Sequence, residues 1–255
     1  MLKYTVIVDR GIEHQTNDDA ACLKHNIIDE GKFSGRSEKD EGIFAVADGV
    51  GSLEGSSAAS RIAVSYMAEC SPRNEQMIKE QIIKANEKIL LERDEMQLHH
   101  DLSSTLCLVS VMGERIVSYN LGNSRLYRYR NGSLLQLTKD HSRVQQLCDA
   151  GYLTPDEMDD HPDKNIITSF IGHDSFDESW IAVTSHREKF KSGDLLMMCS
   201  DGLYDYMGID CMEKIMGCDM TIEQKAAKMV ENVNESGGYD NVTVLIVEKC
   251  QSVSG

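Results

Sequence analysis

The spacing of hydrophobic and polar residues along this chain predicts a fold that mixes strands and helices. Apolar residues that alternate or run on without interruption are typical of strands, whereas apolar residues three and four positions apart are typical of helices. The first pattern predicts strands over residues 4–8, 43–47, 104–112, 115–121, 125–129, 180–184, 194–200 and 242–247. The second predicts helices over residues 56–70, 74–92, 142–150 and 221–233, and a short helix that begins at Thr154.

Turn residues between these elements indicate how the strands connect. Asn131-Gly132 favours a two-residue hairpin, and short turns separate the three strands within residues 104–129, which predicts an antiparallel meander. Residues 29–42 are charged and contain glycine, and they predict a loop. Because no linker or repeat interrupts the pattern, we expect a single α+β domain in which helices pack against antiparallel sheets.

Three of the predicted strands lie directly beside an aspartate, and these are Asp48, Asp201 and Asp240. A carboxylate at the mouth of a sheet suits a hard cation such as Mg²⁺ or Mn²⁺, which prefers oxygen ligands. Another pair of carboxylates, Asp18-Asp19, lies in a polar turn near the N-terminus. Taken alone, two adjacent carboxylates are usually part of a solvated turn.

Composition narrows the classes of function. The chain has 255 residues, 41% of them hydrophobic, and a formal net charge of −16. That charge would repel a phosphate backbone, so nucleic acid is not an expected partner. The eight cysteines include no CxxC pair and several lie in apolar runs, which indicates reduced core thiols. No stretch predicts a signal peptide or a membrane span, so we expect a soluble cytoplasmic protein.

Seven short motifs give the chain a resemblance to a known family. In order they are NDDA, FAVADGVGS, STL, LGNSRLY, LTKDHS, SGDLLMMCSDGL and GGYDNVTVLIV. Their content and order resemble the protein phosphatase 2C family, the metal-dependent serine/threonine protein phosphatases, in its bacterial single-domain form. The resemblance implies one domain over residues 1–255, a four-layer sandwich of two central antiparallel sheets flanked by pairs of helices, and a flap-like segment at about 142–177.

The resemblance also implies a binuclear Mn²⁺ or Mg²⁺ site and assigns residues to it. Water activated by the two ions would hydrolyse the phosphomonoester, since cations neutralise the phosphate and lower the pKa of bound water. The implied catalytic residues are Asp19, Asp48, Asp201 and Asp240. Among the implied ligands, Asp48 bridges both ions, the Gly49 carbonyl binds one, Asp201 and Asp240 complete the other, Asp19 acts through water, and Asp18 contributes weakly where the family usually has glutamate.

Two departures from the family pattern bear on activity, and a third, milder one replaces glycines at the loop-packing positions Ser52 and Ser103. His14 occupies the place of an arginine that binds substrate phosphate, and a histidine offers fewer donors and is largely neutral above its reference pKa of about 6.5. A turn histidine without a ligand role is the alternative interpretation. Asn123 replaces an aspartate that helps to hold a third metal, and a neutral amide should bind that ion poorly.

Two functions therefore follow from the sequence. The first is an active phosphatase acting on phosphoserine and phosphothreonine in a protein substrate, with a serine/threonine kinase as its counterpart and the monomer as the expected state. The alternative is a phosphatase-like regulatory binding protein in which His14 and Asn123 have lowered or abolished turnover. Retention of the four aspartates favours the first, because a site without turnover has no chemical need for them.

Overall fold

Two six-stranded antiparallel sheets form the centre of the protein in this computed structural model, which describes residues 1–50, 55–98 and 101–250. The strands are β1 (Leu2–Asp9), β2 (Asp19–Leu23), β3 (Asn26–Ile28), β4 (Gly31–Ser37), β5 (Glu41–Asp48), β6 (Leu106–Met112), β7 (Arg115–Leu121), β8 (Arg125–Arg130), β9 (Ser133–Gln136), β10 (Ala182–Ser185), β11 (Leu195–Cys199) and β12 (Val242–Lys249). Sheet A has the order β4-β1-β12-β11-β8-β9, and sheet B has the order β10-β7-β6-β5-β2-β3.

Several of the helices begin at side chains that accept from their free N–H groups. They are α1 (Ser56–Ala68), α2 (Glu75–Glu95), α3 (Arg143–Asp149), α4 (Pro155–Met158), α5 (Asp201–Tyr204), α6 (Ile209–Gly217) and α7 (Ile222–Glu235). The Asn74 side chain accepts from the Met77 N–H at the start of α2. Thr221 and Gln224 form the predicted capping box of α7, and Thr154 and Glu157 form that of α4. None of the helices in the described ranges is long and apolar enough to cross a bilayer.

Three apolar clusters hold four layers together. One lies between the sheets and includes Phe44 and Leu245. A second joins sheet B to α1 and α2, and a third joins sheet A to α6 and α7. Helices pack here because each sheet keeps an apolar outer face that must be covered. The predicted sandwich of two antiparallel sheets flanked by pairs of helices is confirmed.

The predicted meander is wrong, because β8 leaves the sheet that contains β6 and β7. β6 pairs with β7 in sheet B, whereas β8 pairs with β11 and β9 in sheet A. Gly122 makes this change of sheet possible: its φ is +96°, and a Cβ there would lie 2.6 Å from the Thr105 side chain. The predicted hairpin at Asn131-Gly132 is confirmed, with φ of 51° and 84° in the turn.

Some strands and helices were missing from the sequence-based prediction. Residues 29–42 contain strand β4, which lies at the edge of sheet A with most of its side chains exposed, so its sequence lacks an apolar run. The short helices α5 and α6 were also absent from the sequence-based prediction. A 3₁₀ turn, Glu178–Trp180, replaces the start of the strand predicted over residues 180–184. Gly51 and Ser52 of the FAVADGVGS motif lie outside the described residues.

The segment at about 142–177 lies across one end of the sandwich. It contains α3 and α4, an isolated bridge joins Ser142 to Ile167 within the segment, and a second bridge ties its return limb to the body through Ser104 and Ile171. Asn86 of α2 fixes the same limb, since its Oδ1 accepts from the Gly172 N–H at 2.7 Å. This limb therefore forms one side of the cleft described next.

Candidate metal centre

Strand ends from both sheets meet at a cleft of about 400 Å³. Asp48 is the last residue of β5, Asp201 begins α5 directly after β11, and Asp240 lies two residues before β12. Asp19 begins β2 and stands opposite Asp48 in the β2–β5 register. The four predicted catalytic aspartates are thus brought to one place although up to 221 positions separate them in the chain (240 − 19 = 221).

Asp19 is the most deeply buried of these carboxylates, with 1% of its surface exposed. Ser200 and Thr243 donate to its Oδ2 at 2.6 and 2.7 Å, and its Oδ1 has no hydrogen-bond partner among the described residues. Burial raises the pKa of Asp19 to about 7, although the two hydroxyl donors oppose the shift. The carboxyl is therefore oriented from one side and unsatisfied on the other.

Asp48 and Asp201 lie close enough to repel each other when both are ionised. Burial, followed by the charge of Asp201, raises the pKa of Asp48 well above its usual range. Burial, followed by the charge of Asp240, raises the pKa of Asp201 to about 6. Burial also raises the pKa of Asp240. The carboxylates thus bring more negative charge to this cleft than the neighbouring protein groups neutralise.

The backbone around Asp48 is held from several directions. Its carbonyl accepts from the Thr105 N–H at 2.8 Å and from Ser104 Oγ at 2.9 Å, and its N–H donates to Thr105 Oγ1 at 3.0 Å. The Gly49 N–H donates to the Asp18 carbonyl at 2.9 Å. A Cβ on Gly49 would lie 2.4 Å from the Ser56 carbonyl oxygen, so only glycine fits this turn.

The two departures from the family pattern also lie at the cleft. His14 Nε2 is 3.0 Å from the Tyr239 carbonyl oxygen and 3.7 Å from Asp240 Oδ1. Asn123 is buried, and its Nδ2 donates to Asp201 Oδ2 at 3.0 Å. Asn123 Oδ1 has no partner in the part of the chain that the structure describes. A neutral amide donor thus stands against a carboxylate.

Asp18 lines the cleft beside His14, and burial raises its pKa while the His14 charge opposes the shift. Its backbone is fixed by Asn241, whose Oδ1 accepts from the Asp18 N–H at 2.7 Å. The Asn241 Nδ2 donates to the carbonyls of Arg10 and Thr16 at 2.8 and 3.1 Å. Asn241 therefore joins the N-terminal turn to the loop before β12.

Sequence reasoning did not assign roles to four residues that orient the carboxylates: Thr105, Ser200, Asn241 and Thr243. A signal was present, because each is a polar residue at the end of a buried strand, where a side chain without a partner is costly. That signal indicates a hydrogen bond without naming the partner. Asn165 and Ile167 of the return limb also line the cleft.

The donor set fits a hard divalent cation. All the candidate side-chain ligands are carboxylates, and the unpartnered Asp19 Oδ1 and the mutually raised pKa values indicate missing positive charge. Within residues 1–50, 55–98 and 101–250, no three His, Cys, Asp or Glu side chains converge as a closed shell would require. Mg²⁺ and Mn²⁺ sites commonly use one or two carboxylates and retain several waters.

A four-layer sandwich whose two sheets meet at a cleft of aspartates defines the class of metal-dependent serine/threonine protein phosphatases. A family model described as protein phosphatase 2C matches residues 20–243. The chain therefore belongs to the protein phosphatase 2C family.

Individual relatives agree with this membership. Protein phosphatase PhpP of Streptococcus pneumoniae is 32% identical over 260 residues, which cover 96% of this chain and 97% of PhpP. The crystal structure of the Mycobacterium tuberculosis serine/threonine phosphatase PstP/Ppp superposes with a TM-score of 0.82 at 25% identity, covering 98% and 99% of the two chains. A PstP catalytic domain in complex with two manganese ions has a TM-score of 0.79 at 23% identity, covering 98% and 99%.

Proposed function

We propose that this chain hydrolyses phosphoserine and phosphothreonine in proteins and that its cleft binds two Mn²⁺ or Mg²⁺ ions. The observation that carries the proposal is the group of carboxyls at one end of the sandwich, where Asp19, Asp48 and Asp201 have raised pKa values. Divalent cations would relieve the repulsion between these carboxylates. The positive charge of the cations would also attract a phosphate dianion. The manganese complex of a structural relative supports the choice of metal.

The ligand roles follow the family pattern. Asp48 would contribute to both ions, Gly49 would bind one through its carbonyl, Asp201 and Asp240 would complete the other, Asp19 would act through water, and Asp18 would contribute weakly. When bound, the ions supply positive charge to the phosphate and lower the pKa of water at the site. The side chains of this protein would hold the ions and so fix where the positive charges lie.

Fixed hydrogen bonds would preserve the geometry during the reaction. Ser200 and Thr243 hold one oxygen of Asp19 and leave Oδ1 to accept from water. His14 Nε2 pairs with the Tyr239 carbonyl and is therefore the donor, so Nδ1 would donate to substrate phosphate only in a ring protonated at both nitrogens. Asn123 donates to Asp201 without adding charge, and we expect a third ion to bind poorly there.

The remaining parts of the proposal concern context. Residues 1–255 would form a single catalytic domain, and the flap-like segment at about 142–177 would help to select the substrate, since Asn165 and Ile167 line the cleft. The substrate is a phosphoprotein, and a cognate serine/threonine kinase would generate it. We further propose that the protein works in the cytoplasm as a monomer.

The test is hydrolysis of a phosphothreonine peptide by purified protein with Mn²⁺, with Mg²⁺ or with chelator. We expect turnover that requires the metal and that falls at least about a hundredfold in Asp201→Asn, because one carboxylate ligand is lost. Asp219→Asn is the matched control, since Asp219 is exposed and lies outside the cleft. Equal rates in chelator and in Mn²⁺ would contradict the proposal.

The alternative of an inactive regulatory protein gains no support from the site, since all four predicted catalytic aspartates reach the same cleft. Metal binding without turnover in this assay would favour it. In that case, recovery of turnover by His14→Arg or Asn123→Asp would identify which departure from the family pattern is responsible.

A further inference from the structure

An exposed pair of tyrosines lies beside the metal cleft. Tyr239, which is 55% exposed, lines the cleft directly before Asp240, and Tyr206 is 41% exposed. Their ring centroids are 5.7 Å apart, and the ring planes are tilted by 36°. A single exposed large side chain is common on protein surfaces. Two adjoining ones at the mouth of a site indicate a binding surface.

The tyrosine pair, Tyr206 with Tyr239, connects the cleft to a second cavity. That cavity has a volume of about 300 Å³, and Tyr206, Met207, Gly208 and Cys211 are among the residues that line it. Since Tyr239 lines the cleft and Tyr206 lines the cavity, the two adjoining rings connect them. Nothing in the Asp19 and Asp48 hydrogen-bond networks uses either ring.

The Tyr239 ring packs against the backbone, and charged residues border the tyrosine pair. A Cβ on Gly237 would lie 2.2 Å from the Tyr239 ring, so the ring lies directly over that glycine. Asp205, next to Tyr206, is paired with Lys164 of the flap-like segment at 3.0 Å. Carboxylates thus border the pair on the metal side, and they would disfavour an acidic side chain there.

We propose that the tyrosine pair and the second cavity bind a large apolar side chain of the phosphoprotein substrate, within about three residues of the phosphorylated serine or threonine. An extended peptide advances about 3.3 Å per residue, so three residues span about 10 Å, the scale of a path across the two rings. The apolar side chain would contact the Tyr206 face and enter the cavity. This inference rests on the proposed phosphatase function and adds a class of preferred substrate.

The experiment compares phosphothreonine peptides of equal length and charge in which one position, from −3 to +3, carries leucine or serine. At the peptide position whose side chain reaches the tyrosine pair, we expect kcat/KM of the natural protein to be about tenfold higher for the leucine peptide than for the serine peptide. Burial of one leucine side chain can supply a difference of that size. In Tyr206→Ala the ratio should fall below about twofold, and in Tyr206→Phe it should be retained. Leu91→Ala, an exposed position on α2, is the matched control and should keep the natural ratio.

A second variant tests the cavity without removing a tyrosine. A Cβ at Gly208 has no atom within 4 Å, and its φ of −59° suits any residue. Gly208→Leu should therefore fill the cavity and reduce the preference for leucine, while Gly208→Ser should keep it. Two outcomes would overturn this inference and leave the proposed phosphatase function standing. In the first, the natural protein hydrolyses all the peptides at the same rate; in the second, its preference for leucine is unchanged in both Tyr206→Ala and Gly208→Leu. A natural protein that hydrolyses none of the peptides overturns the proposed function with it.

Discussion

Removal of metal should make the stability of this protein strongly dependent on pH. Asp19 has a pKa of about 7 in the folded chain against an ordinary value of 3.8, which is a shift of about three units. At about 1.4 kcal/mol per unit, the shift corresponds to about 4 kcal/mol. Because the folded pKa is raised, the stabilising contribution is complete below pH 3.8 and is lost as the pH rises to about 7.

The assay is urea unfolding in chelator at pH 5 and at pH 7.5. Between pH 5 and about pH 7 the Asp19 carboxyl is ionised in the unfolded chain and protonated in the folded chain, so Asp19 alone should lower the free energy of unfolding by about 3 kcal/mol. Asp48 and Asp201, whose pKa values are also raised, should add to this fall. Saturating Mn²⁺ should restore stability at pH 7.5 more than at pH 5, because the ions pair with ionised carboxylates.

The comparison variant is Asp19→Asn, which has no carboxyl to titrate and keeps nearly the same shape. Its free energy of unfolding in chelator should change less between the two pH values than that of the natural protein, by about 2 to 3 kcal/mol. Identical pH dependence in the two proteins would refute the reasoning, since the stability change would then arise from other groups.

Three further changes test the residues that support the site. Thr243→Val removes a buried donor to Asp19 with little change in shape, so the free energy of unfolding should fall by about 2 kcal/mol in urea titrations at pH 7.5 with Mn²⁺ present; an unchanged value would show that this bond contributes nothing. His14→Arg should lower KM for a phosphothreonine peptide severalfold at pH 8, because arginine stays charged and binds phosphate bidentately, and an unchanged KM would place residue 14 outside the phosphate site. Gly202→Ala should abolish Mn²⁺-dependent turnover, since the new Cβ would lie 1.9 Å from the Asn241 carbonyl oxygen; normal activity would mean that this contact relaxes easily.

Local sequence patterns predicted longer elements that have either an apolar stripe or an apolar run. The α2 and α7 helices have an apolar stripe and a capping residue, and β12 is an uninterrupted apolar run. Strand β4 and helix α5 lack such a pattern and were missed. Strand β4 is an exposed edge strand, and α5 is a single turn, so neither needs a long apolar pattern.

The local sequence pattern does not determine which strands pair with each other. β6, β7 and β8 follow one another through short turns, and their sequences suit either a meander or a change of sheet. Which one occurs depends on the packing of β8 against β11 and on the close contact of Gly122 with Thr105. Both are contacts between distant parts of the chain, and their energies are decided by the whole fold.

The sequence by itself determined the periodicity of the strands and helices, the aspartates beside strand ends and the motif order that identifies the family, because these depend on neighbours within a few residues. Only the tertiary structure decided that Ser200 and Thr243 share one oxygen of Asp19, that Asn123 faces Asp201, and that the Tyr206 ring contacts the Tyr239 ring. The physical reason is that hydrogen bonds, repulsion between carboxylates and ring stacking depend on separations of a few ångströms, which residues distant in the chain acquire only when the two sheets pack together.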